Sequence, residues 1–163
     1  MAETDRAKLR ALLEEFRTGM LITRTLEGTL HARPMAVAKL EENDDLFFAT
    51  SIESGKVVDI EEDHQTAVTF QSSSAYVSIS GPARVVTDRA RIARYWNETM
   101  RVWFPQGSGD RSLCLIQLRP VQAEFWNLEG VKGLRFIFEA ARAYVTGTRP
   151  ERLPDQHGEI GAK

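Results

Sequence analysis

Cysteine is almost missing from this chain. Cys114 stands alone, so no intrachain disulfide can form, and a chain of 163 residues can bury enough surface to fold without one. An excess of charge of one sign is missing too. The 21 basic and 23 acidic side chains leave a net charge of −2 and are interleaved, with no basic stripe, which argues against nucleic acid or an anionic membrane as a partner. No apolar run approaches the length needed to cross a bilayer. The first residues, Met1-Ala2-Glu3-Thr4-Asp5, are polar and acidic and lack the basic flank and apolar stretch of a signal peptide. With one cysteine, this leads to the expectation of a cytoplasmic protein. His31, His64 and His157 share no metal-ligand spacing with one another or with Cys114, so no metal is expected. Cys114 itself reads as inert core. There is no GxGxxG, no P-loop and no GxSxG, and no internal repeat.

What is present is a succession of short strand patterns separated by turn residues. Leu9, Leu12, Leu13 and Phe16 predict a first helix, capped by Thr4 or Asp5 and ended by Gly19. Strands are predicted over 20–25, 30–40 and 46–50, with turns at Leu26-Glu27-Gly28-Thr29 and Asn43-Asp44-Asp45. Thr50 and Glu53 have capping-box spacing ahead of a short helix, and Ser51 and Ser54 are alternative caps. Strands over 66–71 and 76–86 follow, the second broken by Gly81-Pro82 in the manner of a bulge or an edge. Asp88 caps a further helix carrying Ile92, Tyr95 and Trp96, and residues 104–109 read as loop. Leu113 to Leu118 is apolar at every alternation, so that strand is expected to be buried on both sides, and 121–127 continues as strand beyond Pro120. Leu134, Ile137, Phe138, Ala141 and Val145 predict a last amphipathic helix, stopped by Gly147 and Pro150. One domain is expected over residues 1–150, with 151–163 as a flexible tail. The pattern is mainly β (α+β): a barrel or sandwich with peripheral helices.

One constellation stands out. Arg33-Pro34-Met35 lies inside a strand pattern, and Thr50-Ser51 and Ser54-Gly55-Lys56 lie where a strand gives way to a helix. An arginine fork, a lysine charge, several hydroxyls and the free N–H groups of a helix start are the means by which proteins hold phosphate. A lysine near a helix start is disfavoured by the dipole unless an anion sits there. Proline cannot donate to a strand ladder, so Pro34 marks an edge or an irregular spot where backbone is left free to meet a ligand. Each residue has a plainer role as well. Arg33 and Lys56 can be solvated surface charges, Thr50, Ser51 and Ser54 simple caps, and Met35 core packing.

The run Gly28-Thr29-Leu30-His31-Ala32-Arg33-Pro34-Met35, then Leu46-Phe47-Phe48-Ala49-Thr50 and Ser54-Gly55-Lys56-Val57, resembles the FMN-binding split-barrel superfamily. In particular it resembles the general-stress-protein branch of the pyridoxamine 5′-phosphate oxidase-like proteins. Tyr76-Val77-Ser78-Ile79-Ser80-Gly81, the Trp103-Phe104-Pro105 turn with Gly107 and Asp110, and Ala123-Glu124-Phe125-Trp126 extend the likeness over about residues 8–146. The resemblance implies a six-stranded FMN-binding split β-barrel with peripheral helices, and a homodimer with two FMN sites at the subunit interface. It implies that Arg33, Pro34, Met35, Thr50, Ser51, Ser54 and Lys56 hold the cofactor, the backbone at Pro34 and Met35 running beside the flavin ring. It also implies that Trp103 and Trp126 lie in segments whose aromatic residues approach the flavin, some from the partner.

Three functional readings follow. The first is a flavin oxidoreductase. No general acid or base stands beside the proposed flavin site, and Trp126-Asn127-Leu128-Glu129-Gly130-Val131-Lys132 holds one lysine and no arginine where the vitamin B6 oxidases carry a basic substrate-phosphate cluster. The second, preferred, is an FMN-binding general-stress-type protein with slow flavin redox activity. The third is a split barrel holding a deazaflavin or haem instead, or acting only as a dimeric interaction module.

Overall fold

The computed structural model describes residues 3–127 and 157–161, together with Arg142 and Gly147. Helix α1 spans Glu3–Glu15 and sets Leu9, Leu12 and Leu13 on the core, as their spacing requires. Strands β1 (Thr18–Arg24), β2 (Leu30–Leu40) and β3 (Leu46–Ser51) lead to helix α2 (Gly55–Glu62). Then come β4 (Gln65–Gln71), β5 (Ala75–Val86) and helix α3 (Arg89–Tyr95). Two 3-10 turns, Glu98–Val102 and Gly107–Gly109, precede β6 (Leu113–Leu118) and β7 (Gln122–Asn127), and β8 spans His157–Gly161.

The strands pair antiparallel in the order β4-β1-β2-β3-β6-β5, and a β4–β5 pairing closes the ring. Six strands therefore form a barrel, and β7 and β8 extend it outward from β5. Leu21, Phe48, Val68, Ile79, Ile116 and Phe125 fill its core. A second cluster, with Phe47, Ile92, Tyr95, Met100, Phe104 and Leu115, packs α3 and the first 3-10 turn against the barrel wall. β6 is buried at all six positions because Ile116 and Leu118 enter the barrel while Leu113 and Leu115 enter this second layer.

Several local expectations are corrected. Gly19 does not end α1 but sits in β1, where a Cβ would lie 2.6 Å from the Phe70 ring. Thr4 and Asp5 lie within α1. Gly81-Pro82 does not break β5. It marks the point where one edge of β5 changes partner, from β7 (Ala75–Ser80) to β6 (Ala83–Val86), and the β6–β7 link passes directly over Gly81. The irregularity in the barrel falls instead in β2, between Val37 and Lys39. Residues 157–161, read as tail, form β8 against β7; a five-residue strand with two glycines carries too little alternation to announce itself. The helix expected from Leu134 to Val145 lies outside the described residues.

Candidate functional site

The split in the barrel lies beside Arg33. β2 pairs with β1 from Leu30 to Ala36, but its pairing with β3 begins only at Val37. Among the described residues no strand pairs with 30–36 on that second edge, so the backbone at Pro34 is free there. Pro34 faces outward opposite Met20, whereas the Met35 side chain is buried in the barrel core. Of the two roles open to Met35, its side chain takes core packing, and its backbone pairs with Gly19 of β1.

Arg33 lies on the inner-facing alternation of β2, opposite buried Leu21. Its guanidinium donates to Thr23 Oγ1 at 2.5 Å and lies 3.4 Å from Asp59 Oδ2. Thr23 in turn donates to Asp59 Oδ2 at 2.7 Å. The fork is thus held from two sides, by β1 and by α2. Asp59 is only 8% exposed, and its carboxylate keeps the arginine in place. Neither Thr23 nor Asp59 belongs to a motif in the sequence. The signal for Asp59 was a carboxylate between the apolar residues Val57 and Ile60, on the buried face of a short helix.

The second half of the cluster hangs on the β3–α2 junction. Lys56 Nζ donates to Thr50 Oγ1 at 3.0 Å, and Thr50 Oγ1 lies 3.3 Å from Ser54 Oγ. Ser54 occupies the N-cap of α2, yet its hydroxyl makes no cap hydrogen bond, and no acidic residue stands in the first turn. The expected capping box does not form: Thr50 is still in β3, its hydroxyl turned to Lys56. Ser51 Oγ accepts the Glu53 N–H and braces the turn. Burial and the charge of Arg33 push the Lys56 ammonium below its ordinary value, while Cys114 pulls it the other way. Arg33 and Lys56 therefore feel one another electrostatically. Cys114 is buried, and burial pushes its thiol up to about 11, so it stays protonated and inert.

The two tryptophans lie on the outer surface. Trp103 is 80% exposed, beside Val102 at 77%. Trp126 faces out of β7, opposite Tyr76 on β5. Two cations held by hydroxyls and one carboxylate, uncapped helix N–H groups and a free strand edge are groups suited to an anion joined to a flat ring. Among the described residues no group of three metal-ligating side chains converges. No described helix is long and apolar enough to cross a membrane.

Comparison with known proteins agrees with this architecture. Protein bli-3 of Neurospora crassa is 34% identical over 152 residues, covering 85% of this chain and 72% of its own. A general stress protein 26 from Jannaschia sp. superposes with a TM-score of 0.70, covering 98% of this chain and 99% of that one, at 22% identity, a level that speaks for the fold alone. A general stress FMN/FAD binding protein of Xanthomonas citri superposes with a TM-score of 0.60 at 30% identity, covering 70% and 82%. The sequence pattern described as "Pyridoxamine 5'-phosphate oxidase like" matches residues 4–151. The chain, a six-stranded split barrel, belongs to the pyridoxamine 5'-phosphate oxidase-like family.

Proposed function

We propose that this protein binds FMN at the split in its barrel and serves as a general-stress-type flavoprotein with slow redox turnover. The observation that carries this reading is the held Arg33 fork beside Lys56 at an uncapped helix start. Arg33 and Lys56 outnumber Asp59, the carboxylate that pairs with Arg33 among the described residues, which favours a phosphate. Thr50 and Ser54 add hydroxyls to the same point. The free edge at Pro34 leaves backbone groups for the polar rim of a flavin ring. FMN, when bound, supplies the redox chemistry, and the chain's own residues bind and orient it. The Xanthomonas citri relative, described as FMN/FAD binding, supports the cofactor class.

The same reading includes a homodimer with the cofactor sites at the subunit interface. Its support is the outer sheet face, where Met20, Pro34, Tyr76 and Trp126 are all exposed, and the exposed pair Val102 and Trp103. These surfaces can bring aromatic rings from a second copy to the flavin.

The slow-turnover part is tested by mixing the FMN-loaded protein with NADPH and following the flavin band. Reduction over minutes to hours is expected; complete bleaching within one second, followed by rapid recovery in air, would make it an oxidoreductase instead.

Lys56 gives a second test. Its lowered ammonium is restored by a bound phosphate, so binding takes up a proton in the alkaline range below 10.5. FMN affinity is therefore expected to fall as pH rises through that window, and Lys56→Met to flatten the dependence. In the ligand-free protein the sign is opposite. The unfolded chain holds the Lys56 proton more tightly, so this group's contribution to stability rises with pH through the same window. FMN titrations at several pH values check the first point. A wild-type profile parallel to that of Lys56→Met would remove Lys56 from the site.

A further inference from the structure

On the outer wall of the barrel, the end of β5 and α3 frame a groove of about 460 Å3. It is lined by three arginines, Arg84, Arg91 and Arg94, and one carboxylate, Asp88. Asp88 already accepts the Arg91 backbone N–H at 2.7 Å as the cap of α3. None of the three arginines makes a salt bridge among the described residues. Two of them are nevertheless held in place by uncharged groups. Arg84 Nε donates to Gln117 Oε1 at 2.7 Å, and Gln117 donates to the buried Asp45 carboxylate. The Arg91 guanidinium stacks 5.6 Å above the Phe47 ring. Arg94 follows Arg91 by three residues on the same helix.

The neighbouring Arg89 shows the contrast. Its guanidinium is occupied by the carbonyls of Leu113, Ser108 and Asp110, an architectural use. Among the described residues the groove arginines have no such use for their terminal nitrogens. Three like charges gathered beside a single carboxylate, and paired with none among the described residues, favour an anion with more than one charge. The groove is separate from the Arg33–Lys56 cluster. Arg84 lies opposite Gln117 and Thr50 opposite Cys114, three residues apart along β6, so alternation puts the two pairs on opposite faces of the wall.

We propose that this groove is a second anion site, which takes a diphosphate group, free or carried on a nucleotide. The groove is of ligand size, and three guanidiniums offer enough paired donors for two phosphate units. The test is calorimetric titration of FMN-saturated protein with sodium pyrophosphate and, separately, with ADP. One equivalent per chain is expected to bind. The double variant Arg84→Gln, Arg91→Gln is expected to lose about tenfold or more in affinity, as is usual when charge-assisted hydrogen bonds are removed. Arg94→Gln, whose side chain braces nothing else among the described residues, is expected to weaken binding without touching the fold. Tighter binding of ADP identifies a nucleotide as the carrier, and binding of pyrophosphate at least as tight identifies free diphosphate. Absence of binding by both probes, or equal affinity in wild type and both variants, overturns the proposal.

Discussion

Alanine at Arg33 is expected to weaken FMN binding by about 2–5 kcal/mol, roughly 30-fold to several thousandfold. Two losses combine. The phosphate loses its planar fork, and Asp59 loses its counter-charge while remaining 8% exposed, with Thr23 as its remaining hydrogen-bond donor. Arg33→Lys separates them: it keeps a charge near Asp59 but not the two-pronged geometry, so its affinity is expected to fall between the other two. Flavin fluorescence titration measures the affinities, and circular dichroism checks that each variant is folded. Unchanged affinity in a folded Arg33→Ala protein would contradict the site.

The second large effect is on stability. Gly81→Ala is expected to cost about 1–3 kcal/mol and to lower Tm by about 3–10 °C. A Cβ at Gly81 would lie 2.0 Å from the Arg119 carbonyl oxygen, and the obstacle is backbone, which cannot swing aside. That carbonyl belongs to the link that carries the chain from β6 to β7 over β5. The link is fixed on both sides of Gly81 by Arg119 N–H to the Pro82 carbonyl and Val121 N–H to the Ser80 carbonyl. Gly55→Ala is the natural control, because nothing lies within 4 Å of a Cβ there. Thermal melts of the two variants should differ clearly, and equal Tm values would contradict the account of the barrel corner.

β1, β4 and β5 were legible because each buries one face and alternates accordingly. Leu30 to Leu40 reads directly as β2, and the unbroken apolar run of Leu113 to Leu118 announces a strand with core on both sides. Glycine roles were less legible. Gly19 looks like a helix stop and Gly81 like a break, but both are glycine because another part of the chain comes close, Phe70 in one case and Arg119 in the other. Such contacts are long-range, and local pattern does not contain them. The capping box at Thr50 and Glu53 failed for a related reason: β3 pairs with β6 through Ser51, which keeps Thr50 extended and turns its hydroxyl to Lys56.

The site residues themselves were legible as types of chemistry, a fork, a charge and hydroxyls around a helix start. Their support was not. Asp59 and Thr23 fix Arg33 from a helix and a neighbouring strand, and only the folded chain brings them within 3.4 Å. Met35 shows the limit from the other side. It adjoins the critical arginine and proline in sequence, but alternation turns its side chain into the core.

The most direct test of the central claim is a titration of the purified protein with FMN and, in parallel, with riboflavin, which has the same ring but no phosphate. A site built on Arg33 and Lys56 predicts one FMN per chain and riboflavin binding weaker by about tenfold or more, because the phosphate supplies the charge-assisted contacts. Equal affinities for the two, or no flavin bound at all, would contradict it.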